Sequence, residues 1–255
     1  MRILITNDDG ILAPGLQALY HAVADLGEVI VVAPETPQSA SGHAITVRAP
    51  LSVRRVHVHH SFYGYSVDGR PADCVKLAIV ELLKHRPDLV LSGINAGANT
   101  GINVLYSGTV AGAVEGTFFG IPSVAFSLEL SEELDFPMAG QIARAILDCF
   151  VAAGPPPATC LNVNIPALDG GWPRGVRCCP QGTLAMEEHY VKQVVAPEHT
   201  IYWLDGRLPE GTAAPDSDQA VLRDGYVAIT PLRFNMTDAE RLDHAARWNW
   251  PASFP

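Results

Sequence analysis

The chain has 255 residues, of which 48% are apolar and 17% are charged, and its formal net charge is −10. This length and composition are typical of a globular protein that buries its own core, and they exclude an intrinsically disordered chain. The acidic balance, with no basic run longer than Arg54-Arg55, argues against polymeric nucleic acid as a partner. No apolar stretch approaches the ~20 residues of a membrane-spanning helix, so no membrane partner is expected.

Cysteine usage and the N-terminal residues predict a cytoplasmic protein. The five cysteines are odd in number and form no C-x-x-C pair, which predicts free thiols rather than a disulfide scaffold. Met1-Arg2 precedes only three strongly apolar residues, a run shorter than the apolar region of a signal peptide. We therefore expect a cytoplasmic location.

The first half of the chain alternates strand and helix patterns. Continuous apolar runs predict buried strands at 2–6, 29–33, 89–91, 121–126 and 160–165. Apolar residues at helical spacing predict helices that begin near Pro14, at Pro71 and at Thr109 as N-cap, and one over 137–152. This alternation indicates an α/β fold with a doubly wound, mainly parallel, Rossmann-like sheet that helices cover on both faces. Ligands of such sheets bind beyond the carboxyl ends of the strands.

The second half of the chain is rich in turns, and we divide the sequence at residue 166. Residues 1–166 are predicted to form the α/β core that carries the candidate site, with residues 225–232 as a further source of a core strand. Residues 167–255 are predicted to form a C-terminal extension. Alternating patterns over Met186–Val195 and Thr200–Leu204 predict a β-hairpin in it, and its tail carries Trp248 and Trp250. Because large apolar groups left on a surface favour association, we expect contacts between subunits there.

Two adjacent carboxylates, Asp8 and Asp9, follow the first predicted strand and precede Gly10. Asp-Gly is a turn dipeptide, and a turn is required for both acids to serve one site, since successive side chains of a strand point to opposite faces. A buried, unpaired carboxylate is costly, so a cation is expected, and a hard divalent metal prefers oxygen ligands. The alternative is that one aspartate caps the helix near Pro14 while the other is solvated.

A long polar loop follows the strand at 89–91. Glycine recurs at 93, 97 and 101, and asparagine at 95, 99 and 103. Asparagine offers a neutral carbonyl oxygen to a metal, and glycines let backbone N–H groups approach an anion. The loop continues into Ser107-Gly108-Thr109 at a predicted helix N-terminus, which favours phosphate. It matches neither the Walker pattern nor G-x-G-x-x-G, and a surface loop rich in turn residues is the structural alternative.

The third segment, residues 34–43, is small, polar and rich in turn residues, and it follows the strand at 29–33. Ser39 or Ser41 is a candidate hydroxyl ligand, although a serine in such a loop is usually only a turn residue. His43 is a candidate general acid, with a loop histidine of no catalytic role as the more frequent case.

These three segments make the sequence similar to the SurE family of metal-dependent 5′(3′)-nucleotidases, also called survival or stationary-phase proteins. The matching motifs, which run in order over nearly the whole chain, are I-T-N-D-D-G at 5–10, A-P-x-x-x-Q-S-x-x-G-H at 33–43, S-G-I-N-x-G-x-N-x-G at 92–101, Y-S-G-T-V-A-G-A-V-E-G at 106–116, L-N-V-N-I-P at 161–166 and G-Y-V-A-I-T-P-L at 225–232.

The resemblance implies one divalent metal ion per subunit, Mg²⁺ or Mn²⁺ by preference, in an α/β core whose C-terminal extension forms a homodimer or homotetramer. The implied substrates are nucleoside monophosphates, with short polyphosphate as a further option. The implied metal ligands are Asp8, Asp9, Ser39 and Asn95, and the implied phosphate contacts are Asn95, Ser107, Gly108 and Thr109. Asn103 and Asn235 stand where the family usually has an acid.

The sequence therefore predicts phosphomonoester hydrolysis, with Asp8, Asp9 and Asn95 as catalytic residues. One alternative is an aspartyl-phosphate phosphatase with Asp8 as nucleophile, although such enzymes usually have two acids separated by one residue. Another is a nucleotide sensor that binds without catalysis. The choice between 5′- and 3′-nucleotides, the preferred base and the general acid stay open.

Overall fold

The computed structural model describes residues 1–59, 61–184, 187–207 and 213–251. Its strands are β1 (Arg2–Thr6), β2 (Glu28–Pro34), β3 (Val53–Val58), β4 (Phe62–Val67), β5 (Leu89–Ala96), β6 (Ser123–Leu128), β7 (Cys160–Ile165), β8 (Val176–Cys178), β9 (Glu187–Ala196), β10 (His199–Arg207) and β11 (Val227–Leu232). Its α-helices are α1 (Pro14–Val23), α2 (Pro71–Leu77), α3 (Gly108–Phe118), α4 (Phe136–Ala152), α5 (Asp218–Arg223) and α6 (Ala239–Ala246). A π-helical turn at Ala78–Leu82 continues α2, and a 3₁₀ turn occupies Gly101–Leu105.

One mixed sheet carries the fold, with strand order β3-β4-β2-β1-β5-β6-β7-β11-β8. The central strands β2, β1, β5, β6 and β7 pair in parallel, whereas β3 and β11 pair antiparallel with β4 and β7. Because β2, β1 and β5 are parallel, their carboxyl ends lie at one edge of the sheet. The main sheet takes β8 and β11 from beyond residue 166, and the division into core and extension stays a prediction.

Helices cover both faces of this sheet, and the residues of β1 show why. Ile3 and Ile5 pack in the cluster that includes α1 and α4, whereas Leu4 packs in a second cluster with α2. All three side chains are fully buried, since a parallel strand between two helical layers has no solvent face. The predicted doubly wound, mainly parallel α/β fold is confirmed.

Three glycines bring α3 close to the sheet. A Cβ on Gly108 would lie 2.8 Å from Asp8 Cβ, one on Gly112 would lie 2.8 Å from Thr6 Cγ2, and one on Gly116 would lie 2.5 Å from Ser123 Oγ. The spacing of four residues puts all three on one face of the helix. The first turn of α3 can therefore lie directly against the end of β1.

Several local predictions were wrong or incomplete. The N-cap of α3 is Ser107, whose Oγ accepts a hydrogen bond from the Val110 N–H (3.1 Å), and not Thr109. The β3–β4 hairpin, β8, α5 and α6 were not predicted. The predicted hairpin over Met186–Val195 and Thr200–Leu204 is present as β9 and β10, with Met186 outside the described residues.

The β9–β10 hairpin and the tail lie outside the main core. Every residue of β9 is exposed, including Tyr190 and Val194, and α6 has no buried residue. Trp248 and Trp250 are also exposed. In the part of the chain that the structure describes, no helix is both long and apolar enough to cross a membrane.

Candidate active site

The structure brings together the three polar segments that follow β1, β2 and β5. Asp9 Oδ2 accepts a hydrogen bond of 3.1 Å from the Ala96 N–H at the end of β5. The Asp8 carbonyl oxygen accepts one of 2.7 Å from the Gln38 N–H, which fixes the segment 34–43 beside the acid pair. Ser39, which is exposed, comes one residue after this contact.

A tight turn follows the two aspartates at the end of β1. Asn7 Nδ2 donates to the Gly10 carbonyl oxygen (2.9 Å), and Gly10 has a φ of +100°, a conformation that favours glycine. The Ile11 N–H then donates to the Pro34 carbonyl oxygen (2.8 Å), which ties the turn to β2. The Asp-Gly turn predicted from the sequence is thus present, and Pro14 begins α1 with no side-chain cap from either aspartate.

Asp8 is buried at the N-terminus of α3, and its environment disfavours a lone negative charge. Its side chain is only 5% exposed, and Thr109 Oγ1 donates a hydrogen bond to Asp8 Oδ1. Burial raises the pKa of Asp8 to about 6, and the charge of Asp9 adds to the rise, while the hydroxyl and backbone N–H of Thr109 oppose it. Burial likewise raises the pKa of Asp9. Two carboxylates with raised pKa values at one point are groups whose negative charge a nearby cation would stabilise.

The donor atoms present fit a hard divalent metal. Among the described residues, no Lys, Arg or His forms an ion pair with Asp8 or Asp9. Asn95 Nδ2 donates to the Gly97 carbonyl oxygen (2.7 Å), and neither Asn95 Oδ1 nor Asp9 Oδ1 accepts a hydrogen bond from a described residue. Among the described residues, no group of three or more His, Cys, Asp or Glu side chains is arranged so that it could hold a metal ion. A metal here therefore depends on amide and hydroxyl oxygens beside the two acids.

An irregularity in β5 precedes Asn95, whose neighbour Ala96 contacts Asp9. The register between β5 and β6 shifts between Ser92 and Asn95, so the strand does not continue its regular alternation. Asn95 was predicted to lie in a loop. It lies instead in the last two residues of β5, directly before Gly97, whose φ is +121°. Its side chain is consequently fixed by the sheet on one side and by the Gly97 carbonyl on the other.

Ser107, Gly108 and Thr109 form the first turn of α3. Ser107 satisfies the Val110 N–H, and Thr109 contacts Asp8, while Gly108 is the first helical residue. The early N–H groups of a helix have no acceptor within the helix, and the helix dipole favours an anion there. This turn therefore offers a phosphate site beside the acid pair.

Buried amides and one buried carboxylate fix the Gly/Asn loop, and sequence reasoning assigned them no role. Asn99 donates to Ser127 Oγ (2.8 Å), and its carbonyl oxygen accepts from Asn162 Nδ2 (2.8 Å). Asp218, fully buried, accepts from the N–H groups of Gly101 (3.0 Å) and Gly182 (2.8 Å). The L-N-V-N-I-P motif, which contains Asn162, was the available signal.

A second cluster missed from the sequence lies beside α3. Glu115 is only 1% exposed, and its two oxygens lie 2.7 Å from His43 Nε2 and 2.7 Å from Lys76 Nζ. Burial, the largest single effect, raises the pKa of Glu115, but its two partners together hold it below the usual value. His43 is thereby fixed at the end of the segment 34–43. Ser41, two residues earlier, has a buried hydroxyl that makes no hydrogen bond with the described residues.

Comparisons with known proteins identify the family of this chain. The family model described as Survival protein SurE matches residues 3–188. The protein named 5′-nucleotidase SurE from Syntrophobacter fumaroxidans is 43% identical over 249 residues, covering 98% of this chain and 100% of the relative. The protein of the same name from Desulforudis audaxviator is 44% identical over 266 residues, covering 99% and 100%. The crystal structure of the SurE protein from Aquifex aeolicus has a TM-score of 0.83 at 38% identity, covering 96% of this chain and 98% of that one. This chain belongs to the SurE family.

Proposed function

We propose that this chain is a metal-dependent 5′-nucleotidase that hydrolyses the phosphomonoester of nucleoside 5′-monophosphates. The observation that carries the proposal is that Asp8 contacts Thr109 in the first turn of α3 while Asp9 contacts the Ala96 N–H, one residue after Asn95. An acid pair with no ion-pair partner among the described residues and a helix N-terminus suited to phosphate together make a site suited to phosphoryl transfer. The name 5′-nucleotidase carried by the similar proteins supports the same reaction.

The metal ligands in this proposal are Asp8, Asp9, Ser39 and Asn95, one divalent ion per subunit. Their oxygen donors suit Mg²⁺ or Mn²⁺ better than a structural zinc ion. When bound, such an ion supplies a Lewis acid for phosphate oxygens and offsets the negative charge of the acid pair.

The chain's own residues then orient the phosphoryl group and the attacking water. Thr109 and the Ala96 N–H each hold one aspartate in a fixed position, so that a carboxylate is available to orient and deprotonate water. The Gly108 N–H and the second amide hydrogen of Asn95 are available to donate to oxygens that gain charge at phosphorus. In this proposal Asn95 binds the metal through its amide oxygen and the phosphoryl group through one amide hydrogen. Its other amide hydrogen donates to the Gly97 carbonyl oxygen, which fixes the orientation of the amide group.

Phosphate release from a panel of nucleoside 5′- and 3′-monophosphates, with Mg²⁺ or Mn²⁺ and with chelator, tests the proposal. We expect metal-dependent release that chelator abolishes and that Asp8→Asn abolishes without loss of fold. Wild-type turnover in Asp8→Asn would refute the assignment. Nucleotide binding that is insensitive to chelator, with no phosphate released, would identify a sensor, and a phosphoaspartate trapped on Asp8 would identify the covalent mechanism.

We also propose that the β9–β10 hairpin and the tail join subunits into a homodimer or homotetramer. Tyr190, Trp203 and Trp250 are 67%, 62% and 60% exposed, a large apolar surface for a single chain. Light scattering of the purified protein measures the assembly, and a monomer at micromolar concentration would refute the proposal.

A further inference from the structure

A groove runs along the flank of α3 away from the candidate phosphate site. It has a volume of about 430 Å³ and begins at Ser107, the N-cap of that helix. Val110, Val114 and Phe118 line its floor at a spacing of four residues, so that one helical face forms the floor. The segment that follows β11 forms the opposite wall with Phe234 and other side chains.

The dimensions of this groove suit one small molecule attached to a phosphate at Ser107. Phe118 comes eleven positions after Ser107, which is roughly 16 Å along an α-helix. Sites for small organic ligands usually enclose about 300–1,000 Å³. A phosphate at the first turn of α3 therefore has room for its ester group along the same helix, between the N-terminus and Phe118.

The far end of the groove is aromatic. The His43 ring lies flat against the Phe118 ring, with centroids 5.0 Å apart and planes at 12°. Phe234 packs edge-on against Phe118, with centroids 5.0 Å apart and planes at 84°. Phe118 is 49% exposed and Phe234 is 55% exposed, so these rings keep open surface at the groove. Stacking on aromatic rings is a general way in which proteins hold nucleobases, because every base has a π-face.

The charge of the groove is opposite to that of the whole chain. Among the described residues that line it, the charged or titratable side chains are His43 and Arg233, and none is a carboxylate. The chain as a whole has a net charge of −10. The nearby Glu115 of α3 is buried and is paired with His43 and Lys76. A nucleoside in this groove therefore meets the cationic Arg233 and no carboxylate among the described lining residues.

We infer that this groove holds the nucleoside of the substrate, with the nucleobase packed against Phe118 and Phe234. The inference rests on the proposed function and adds to it the residues that select nucleotides over other phosphomonoesters. Gln181 also lines the groove, and its Nε2 donates to the Gly101 carbonyl oxygen (2.8 Å). This hydrogen bond fixes the Gln181 amide group. The Gln181 Oε1 atom is then available to accept a hydrogen bond from a ribose hydroxyl or a base amine.

The test compares adenosine 5′-monophosphate with ribose 5-phosphate, which has the same phosphate ester and no base. We expect Phe118→Leu to lower the ratio of kcat/KM for the nucleotide over the sugar phosphate about tenfold, mainly through KM. Phe234→Leu is the second variant, since its half-exposed ring tolerates truncation. Trp172→Leu is the control: it removes an aromatic ring that is 60% exposed from a different pocket, next to α4.

Each outcome decides a separate point. Equal losses on both substrates in both variants would show a structural role for these rings and overturn the inference. An unchanged ratio in both variants would also overturn it, as would a change of oligomeric mass with unchanged KM, which would make the groove a contact between subunits. If the wild type releases no phosphate from any substrate, the proposed function fails. Calorimetric binding of the nucleotide to wild type and Phe118→Leu then still tests the groove.

Discussion

Adding a single methyl group at Gly108 is expected to damage the site more than it damages the fold. A Cβ there would lie 2.8 Å from Asp8 Cβ and 2.9 Å from Asp8 Oδ2, whereas ordinary van der Waals contact is at 3.4–4 Å. The closest atom is a Cβ, so rotation of the Asp8 side chain cannot relieve the overlap. The N-terminus of α3 and the end of β1 must move apart, which displaces Asp8 relative to the phosphate site.

The magnitude follows from two opposing effects. Overpacking of this kind costs about 1–3 kcal/mol. Alanine is favoured over glycine inside a helix by up to ~1 kcal/mol, which offsets part of that cost. We expect a net loss of about 1–2 kcal/mol, or a Tm lowered by ~2–8 °C for a chain of this size. A displacement approaching 1 Å in an active site costs up to ~100-fold in rate, so we expect kcat to fall by roughly 10–100-fold.

Steady-state phosphate release and thermal unfolding of Gly108→Ala measure the two effects. Gly116→Ala on the same helix is the matched control, since its Cβ would lie 2.5 Å from Ser123 Oγ, far along α3 from Asp8. It is expected to lower Tm comparably while kcat per folded molecule stays near wild type. Gly170→Ala, with no atom within 4 Å of the added Cβ, is expected to change neither. Wild-type kcat in Gly108→Ala would refute the reasoning, and equal kcat losses in Gly108→Ala and Gly116→Ala would show that Asp8 is not the sensitive contact.

Two further substitutions test the supports of the site. Glu115→Gln is expected to cost about 1–2 kcal/mol at pH 7, a value reduced because His43 and Lys76 are partly exposed. Because the pKa of Glu115 is lowered in the folded state, its stabilisation is present above pH ~4.5 and is lost as pH falls through the folded pKa. Urea unfolding should therefore show wild type and Glu115→Gln converging on acidification, and a constant difference down to pH 3 would contradict this. Asp218→Asn removes an acceptor from Gly101 or Gly182, and we expect it to cost about 1–3 kcal/mol in unfolding experiments and to lower kcat through the Gly/Asn loop. Unchanged stability and kcat would show that this loop does not depend on Asp218.

The parts of the fold that the sequence predicts are those in which burial alone decides the structure. The apolar runs of β1 and β6 are continuous, so both faces of each strand must be buried. Both strands were predicted. The β3–β4 hairpin lies at the edge of the sheet, where Arg54 and Arg55 are exposed and no clear alternation appears. Gly64 in β4 lowers strand propensity, yet a Cβ there would meet Val31 and Ile11 at 3.1–3.3 Å. That glycine is explained by its neighbours in space, which the local sequence does not reveal.

The same distinction applies to the candidate site. The turn at Asp9-Gly10 is predicted from the residue types alone. Its position beside β5 is predicted because β1 and β5 are neighbouring parallel strands. The N-cap of α3 was assigned to Thr109 instead of Ser107 because both residue types cap helices well. The Thr109 hydroxyl donates to Asp8, which is 101 residues away in the sequence, so Ser107 is the residue that caps the helix. The cluster of His43, Lys76 and Glu115 likewise joins three distant segments, so no local pattern indicates it.

The acid pair also leads to a prediction about stability that requires no substrate. Burial and the neighbouring charge of Asp9 raise the pKa of Asp8 to about 6, so the metal-free protein is fully stabilised by this group only below pH ~3.8 and loses about 3 kcal/mol as pH rises through 6. In chelator at pH 7, Asp8→Asn is therefore expected to unfold at a higher temperature than wild type. An ion at 100 times its Kd stabilises a protein by ~2.7 kcal/mol, so Mn²⁺ or Mg²⁺ should raise the wild-type Tm by ~5–11 °C and leave Asp8→Asn unmoved. The exposed Asp169→Asn carries the same change of charge and should keep the full metal response. A wild-type Tm that no divalent ion changes, or an equal response in Asp8→Asn, would mean that the two carboxylates meet at the end of β1 for a reason other than a metal.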